Sequence, residues 1–235
     1  MAKYQITVII PVFNEGENIS LMITGLEKQV KVRHEVLVVY DFDKDNTIPI
    51  VRHLQRRYSN LKLVKNQFEQ GVLQAVKTGF SRAQGKVIVV MPADLTDDPN
   101  VINDMYAKLR NGYDIICATR YSHGGKRLGG DAIKAWLSRF TGLMTPYLLG
   151  IPTTDLTNGF KMYRKEVVEQ IKIESKEGWV FSMELVIKAH QKGFRIAEVP
   201  AVSTNRMHGV SKFKLWKWLP AYLYWYLYGM RRNLV

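Results

Sequence analysis

One cysteine, Cys117, stands in a chain of 235 residues. No intramolecular disulfide can form. A lone thiol inside Ile115-Ile116-Cys117-Ala118 reads as a small core side chain, in a protein suited to a reducing cytosol. Tandem repeats and low-complexity linkers are missing, so neither a repeat array nor a separately linked module is expected. The chain passes from Met1-Ala2-Lys3 straight into a strand-like run, without the apolar stretch and cleavage site of a secretory leader. Long apolar runs are missing too. The uncharged stretch from Trp218 to Met230 is shorter than the roughly 17–25 residues a spanning helix needs. Acidic residues are absent from Pro200 to Val235.

What is present suits a folded domain: 46% hydrophobic and 23% charged residues exclude a disordered chain. Lys and Arg number 34 against 21 Asp and Glu, a net charge of +13. That excess calls for a polyanionic partner: nucleic acid, an anionic membrane or a phosphorylated substrate. The apolar runs at 6–10, 36–39, 61–64, 87–91 and 114–118 are continuous rather than alternating, which implies burial on both faces. Helical patterns separate them, so the predicted fold is α/β with a doubly wound, mostly parallel sheet. Such sheets bind ligands beyond the carboxyl ends of their strands, here the loops that begin at Pro11, Tyr40, Met91 and Thr119. In the second half, helical patterns at 132–149 and 180–192 flank a strand-like Phe160-Lys161-Met162-Tyr163. Residues 195–199 read as another strand, extending the same domain.

Each loop has a chemical reading beside a structural one. Pro11 to Asn18 offers an aromatic face and a carboxylate to a nucleoside, or is a plain turn with Asn18 or Ser20 capping a helix. In Tyr40 to Thr47, Asp41 sits just past the strand, where it can accept from base N–H groups. Asp45 or Asn46 reads as the cap of the next helix. The acids of Met91 to Pro99 suit an oxygen-ligated Mg²⁺ or Mn²⁺ that neutralises a diphosphate. Asp98-Pro99 also reads as a helix start with proline in the first position. Arg120 and Tyr121 lead into Gly124–Gly130 with Lys126 and Arg127, either a phosphate-binding lid or a solvated surface loop.

Taken in order, the motifs resemble family-2 glycosyltransferases, and within them the dolichyl/polyprenyl-phosphate mannose synthase group. They read Pro11…Phe13-Asn14-Glu15, then Asp41…Asp43…Asp45…Thr47, Ala93-Asp94-Leu95 and Thr119-Arg120-Tyr121. Asp155-Leu156-Thr157-Asn158-Gly159-Phe160…Tyr163-Arg164-Lys165-Glu166-Val167 and Arg206…Gly209…Ser211-Lys212 follow. The resemblance implies a GT-A fold over residues 1–211, with a nucleotide-sugar half at 1–120 and an acceptor half at 121–211. It implies a GDP- or UDP-hexose donor held by Pro11, Phe13, Glu15, Asp41, Asp43, Ala93 and Asp94, and a divalent metal (Mg or Mn) on Asp94. Arg120, Lys134 and Arg206 would act with Asp94 in catalysis. The same three cations, with Ser211 and Lys212, would face the acceptor phosphate. The implied reaction moves mannose or glucose onto a polyprenyl phosphate at the cytoplasmic surface of a membrane, the protein being peripheral.

The departures bear on the metal. Where the family has its first metal-site Asp this chain has Pro92, which can neither ligate nor donate a hydrogen bond. Thr96 stands where some relatives carry a metal-binding Gln. Asp97 is expected to assist Asp94, with the ion weakly bound. A non-catalytic relative is the alternative that Pro92 raises.

Residues 212–235 form a class of their own. Lys212 to Arg232 hold three of the five Trp and four of the twelve Tyr, with basic residues at both ends. That is the composition of a membrane interface, so an amphipathic aromatic helix lying on a membrane is expected, with an aromatic helix packed on the domain as the alternative. Nucleic acid would account for the charge and the aromatics but not for the ordered motifs, and is not expected as a partner.

Overall fold

A computed structural model describes residues 3–129, 131–176, 178–206 and 214–232, with the backbone alone for Leu215 and Arg232. The elements in chain order are β1 (Ile6–Val12), α1 (Gly16–Gln29), β2 (His34–Tyr40), α2 (Thr47–Leu54), β3 (Leu61–Lys65), α3 (Val72–Arg82), β4 (Val87–Val90), α4 (Val101–Arg110) and β5 (Ile115–Thr119). There follow β6 (Lys126–Arg127), α5 (Ala132–Leu149), β7 (Lys161–Arg164), α6 (Lys165–Gln170), α7 (Val180–Gln191), β8 (Ile196–Pro200), β9 (Val202–Ser203) and α8 (Leu215–Arg232).

Seven strands form one sheet in the order β3-β2-β1-β4-β7-β5-β8. Only β7 runs antiparallel, between β4 and β5. A strand from the second half of the chain thus lies between two from the first, and the two halves share one sheet. The continuous apolar strands bury both faces. Ile6, Val8 and Ile10 of β1 pack with Ile19, Met22, Ile23 and Leu26 of α1 and with Ile102 and Met105 of α4. Ile9 points the other way, toward Leu37, Val39, Ile88 and Ala75. The chain winds outward from β1 to β3 and returns to β4 on the other side of β1. The reversal opens a crevice at the carboxyl ends of β1 and β4, the position where open α/β sheets bind ligands.

The helix boundaries lie close to the sequence reading. The regular turns of helix α4 run from Val101. A tighter turn opens it at Asp98-Pro99: Asp98 Oδ1 accepts from Asn100 N at 3.0 Å, and the carbonyls of Asp98 and Pro99 accept from Val101 N and Ile102 N. One residue earlier, Asp97 is held in an antiparallel bridge to Ser203. Helix α1 opens at Gly16, ahead of Asn18 and Ser20. Helix α5 starts at Asp131, whose side chain accepts from Lys134 N, and ends at Gly150 in the left-handed region. At Gly142 this helix touches the carbonyl of Thr154 so closely that any Cβ would overlap it.

Helix α8 lies on α7 and α5. Its Tyr222 and Trp225 are buried in the cluster that also holds Phe181, Val186 and Leu149. The tail is therefore part of the core on one side. On the other it exposes Trp216 (73%) and Tyr224 (60%). Helix α5 exposes Ile133, Trp136, Phe140 and Tyr147 along one stripe. Among the described residues no helix is long and apolar enough to cross a membrane.

Candidate functional site

The loop after β1 is shaped by the loop after β2. Three successive backbone N–H groups of the first, at Asn14, Glu15 and Gly16, donate to Asp45 Oδ2 (3.0 Å), Thr47 Oγ1 (2.9 Å) and Asn46 Oδ1 (2.9 Å). Asn46 holds the N-cap position of α2 but makes no capping bond there, because its amide oxygen is used on Gly16. Asp45 does both jobs, its other oxygen accepting from Thr47 N. This clamp directs Phe13 and Glu15 into the crevice. Phe13 meets Phe42 edge-on, with ring centroids 5.3 Å apart.

Asp41 lines the same crevice, and its carboxylate is already occupied. Oδ1 accepts from Asn66 Nδ2 (2.8 Å) and Oδ2 from Gly71 N (2.9 Å), which ties down the 66–71 loop at the mouth of α3. Gly71 sits at φ 131°, a conformation side chains rarely adopt. Asp43 departs from the sequence expectation. It is 74% exposed, paired with Lys65 Nζ at 2.8 Å, and does not line the crevice.

At the end of β4, Pro92, Ala93 and Asp94 line the opposite wall. Asp94 Oδ1 accepts from the Thr96 hydroxyl (2.8 Å) and Oδ2 from Arg206 Nη2 (3.2 Å). The same guanidinium reaches Glu15 Oε1 through Nη1 at 3.2 Å. Asp97 is buried, and its Oδ1 has no hydrogen-bond partner among the described residues. Burial, with the nearby charge of Asp94, pushes its pKa up to about 7.

Arg120, at the end of β5, is gripped by Asp155. Nε meets Oδ2 at 2.6 Å, Nη2 meets Oδ1 at 2.9 Å, and the backbone N–H also donates to Oδ2. Burial by itself would lower the guanidinium's pKa. The Asp155 charge and its bonds outweigh that and hold it raised. Much of Arg120's donor capacity is thus committed within the protein, which leaves fewer N–H groups for a phosphate than the sequence reading assumed. Beneath the 155–159 loop, the buried Lys161 Nζ donates to the carbonyls of Leu156 and Asn158 and to Ser182 Oγ. Burial lowers its pKa. Sequence reasoning gave Asp155 and Lys161 no role, although the block containing them was conspicuous; neither residue type announces an ion pair or a buried clamp without its partner.

Lys134, on the first turn of α5, lines the crevice near Arg127 and Ser138. Ser211 and Lys212 lie outside the described residues. The crevice continues as a cleft of about 910 Å³. One end is bounded by Phe13 and Asp41, the other by Leu137, Thr141, Leu219 and Tyr226 between α5 and α8.

Residues 7–172 match the family described as glycosyl transferase family 2. The chain belongs to that family. It is 33% identical over 215 residues to a dolichol-phosphate mannosyltransferase of Pyrococcus furiosus, covering 89% of this chain and 59% of that relative's length. To a polyprenol monophosphomannose synthase of Mycolicibacterium smegmatis it is 30% identical, covering 87% of this chain and 79% of the relative. In fold it is similar to glucosyl-3-phosphoglycerate synthase of Mycobacterium tuberculosis, solved with Mn²⁺, UDP and glucosyl-3-phosphoglycerate. The TM-score is 0.72 at 16% identity, over 97% of this chain and 81% of the other. These neighbours share the GT-A arrangement of a mostly parallel sheet with helices on both faces.

Does this family 2 chain retain residues for such an ion? Pro92 offers none, and among the described residues no three His, Cys, Asp or Glu side chains gather. Asp94 borders the crevice, and the orphaned Asp97 Oδ1 is a buried carboxyl oxygen close to it, whose ionisation a cation would favour. Mg²⁺-type ions are commonly held by one or two carboxylates, with water and substrate phosphates completing the shell. The residues fit an ion completed by a diphosphate, rather than a cage formed in advance.

Proposed function

We propose that the protein transfers a hexose, mannose or glucose, from a GDP- or UDP-linked donor to a polyprenyl phosphate at the cytoplasmic surface of a membrane. The observation that carries this reading is the continuity of one cleft, from strand-end carboxylates to an apolar gap between two aromatic helices. A nucleoside fits the Phe13–Asp41 end. The diphosphate then lies between Glu15 and Asp94, and a lipid enters between α5 and α8, its phosphate near Lys134 and Arg120. The names of the two relatives given above, a dolichol-phosphate mannosyltransferase and a polyprenol monophosphomannose synthase, support the same assignment.

The lipid phosphate oxygen attacks the anomeric carbon as the bond to the donor's β-phosphate breaks, and the nucleoside diphosphate leaves with the electron pair. A phosphate is already an anionic nucleophile and needs little base catalysis, so positioning and charge neutralisation carry the rate. When bound, a divalent ion on Asp94 and Asp97 would supply part of the neutralisation of the leaving diphosphate. Lys134 and Arg206 bring cationic charge to the two phosphate groups, and Asp155 fixes Arg120 in one rotamer beside them.

The membrane side of the proposal rests on exposed aromatics and basic charge. Trp136 (64%) and Tyr147 (83%) of α5, with Trp216 and Tyr224 of α8, stand out from the domain. Lys217 and Arg231 are exposed on α8, and Lys214 is exposed just before it. Aromatics flanked by cations suit the headgroup layer, and the anionic cytoplasmic leaflet attracts the cations.

The test is transfer itself. Protein, labelled GDP- or UDP-hexose, Mn²⁺ and polyprenyl phosphate in vesicles should yield label in the organic phase, and Asp94→Asn should abolish it. Nucleotide-sugar binding with no lipid product from any donor would sink the proposal in favour of a non-catalytic relative.

A further inference from the structure

Two carboxylates from different loops face each other across the crevice, Glu15 after β1 and Asp94 after β4. One guanidinium spans them. Arg206 Nη1 lies 3.2 Å from Glu15 Oε1 and Nη2 lies 3.2 Å from Asp94 Oδ2. The three side chains are only 22%, 11% and 21% exposed, so this bridge is partly shielded from water. It crosses the place where a diphosphate and its counter-ion would lie. The backbone just before Arg206 is pinned to the same wall. Thr204 N donates to Thr96 O at 2.8 Å, and Ser203 bridges Asp97. With that anchor two residues away, rotation of the long Arg206 side chain is enough to take the guanidinium off the carboxylates.

A divalent ion on Asp94 needs an oxygen that Arg206 now holds, and it would stand next to a fixed positive charge. We infer that Arg206 is a resident cation that competes with a divalent metal for Asp94, and that the diphosphate of an incoming nucleotide draws it off and so admits the ion. Binding of metal and nucleoside diphosphate is then coupled through Arg206, since either one alone must work against the bridge. The inference rests on the donor-site reading above for the place of the diphosphate. Its metal arm can be measured without nucleotide.

The experiment is titration of the full-length protein with Mn²⁺ alone, followed by electron paramagnetic resonance of the free ion. Arg206→Met should bind Mn²⁺ about fivefold tighter or more than the parent, the lower end of typical coupling effects. Arg206→Lys, which keeps a cation, should stay close to the parent, and thermal melts of both variants report that they are folded. Adding Asp94→Asn to Arg206→Met should abolish the gain, locating the ion at Asp94. With GDP or UDP present, the parent should gain more Mn²⁺ affinity from the nucleotide than Arg206→Met does. An Arg206→Met protein that is folded and binds Mn²⁺ no tighter than the parent overturns the inference. Failure of both proteins to bind either nucleotide even with Mn²⁺ overturns the donor-site reading instead, and leaves the ion titration interpretable.

Discussion

His34 shows how a single buried ring can report on folding. Its Nδ1 lies 2.7 Å from the carbonyl of Val32, an acceptor, so Nδ1 carries the hydrogen. Nε2 then faces Glu27 Oε1 at 3.3 Å, and only the protonated ring can donate to it. Burial by itself would lower the His34 pKa; the Glu27 and Val32 contacts outweigh it and raise the value above 6.5. For Glu27, burial acts to raise the pKa, and the bonds from His34 and Asn60 outweigh that and lower it below 4.5. The histidine's contribution is complete below about pH 6.5 and fades as pH rises through its raised folded value. The glutamate's is present above about pH 4.5 and fades as pH falls through its lowered value. The melting temperature of the parent should therefore drop between pH 6 and 8 relative to His34→Gln, whose side chain does not titrate; parallel curves for the two in calorimetry would refute the pair's role. Cys117 gives a simpler expectation. Burial pushes its thiol up to about 11, so it should resist iodoacetamide at pH 8 until the protein is denatured, as mass spectrometry can read. The site was partly legible at this scale. Pro11, Phe13, Glu15, Asp41 and Asp94 could be placed on one crevice because each lies at or just past a strand end, and strand ends converge. Asp43 and Asp155 could not, because Asp43, two residues beyond Asp41, turns out to Lys65, and the partnership of Asp155 with Arg120 spans 35 positions.

Elements were easier to read than their joints. Strand runs such as Val36–Val39 declare themselves through unbroken apolar sequence, and α5 through its Asp131 start and Gly150 stop. The opening of α4 was legible in Asp98-Pro99, whose capping bond to Asn100 N is local, while the bridge from Asp97 to Ser203, 106 residues on, was invisible in the sequence. The antiparallel insertion of β7 was equally hidden, since a four-residue strand carries no mark of its direction. Close approach of elements makes a sharp prediction at Gly142. A valine there must push α5 away from the carbonyl of Thr154, disturbing the segment that leads to Asp155. Gly142→Val should lower stability by about 1–3 kcal/mol, as overpacking does, and should also weaken binding at the Arg120 wall. Denaturant melts would check the first effect. Helix α8 offers the contrasting pair. Trp225 is buried against α7 beneath Lys188, whose Nζ sits 4.7 Å over its ring, so Trp225→Ala should cost about 3–5 kcal/mol. Trp216→Ala, on the exposed face, should change stability by no more than about 0.5 kcal/mol.

At the scale of the whole molecule, that contrast decides how membrane attachment can be tested. Removing α8 would strip Tyr222 and Trp225 from the core and expose the cluster beneath, so truncation would confuse loss of binding with loss of fold. Point changes on the outer face avoid the difficulty. The proposed contact surface combines the α5 stripe of Trp136, Phe140 and Tyr147, in which Trp136 and Phe140 stack at 5.6 Å, with Trp216 and Tyr224 of α8. Cations at Lys217 and Arg231 lie on the same helix as the latter two, and Lys214 immediately precedes it. Two forces then contribute, aromatic burial and attraction of basic residues to anionic lipid, the second worth about 1 kcal/mol for each cation near the surface. Co-sedimentation with phosphatidylserine-containing vesicles should weaken at high salt without vanishing, because Debye screening removes only the second force. Trp136→Ala combined with Trp216→Ala should leave the melting temperature nearly unchanged yet reduce the salt-resistant part of binding severalfold. The same double variant should keep its affinity for nucleotide-sugar, whose site lies at the other end of the cleft, while losing transfer to long-chain lipid phosphate. Equal sedimentation of parent and double variant at every salt concentration would mean that these aromatics face water, and that the domain meets its lipid by another surface.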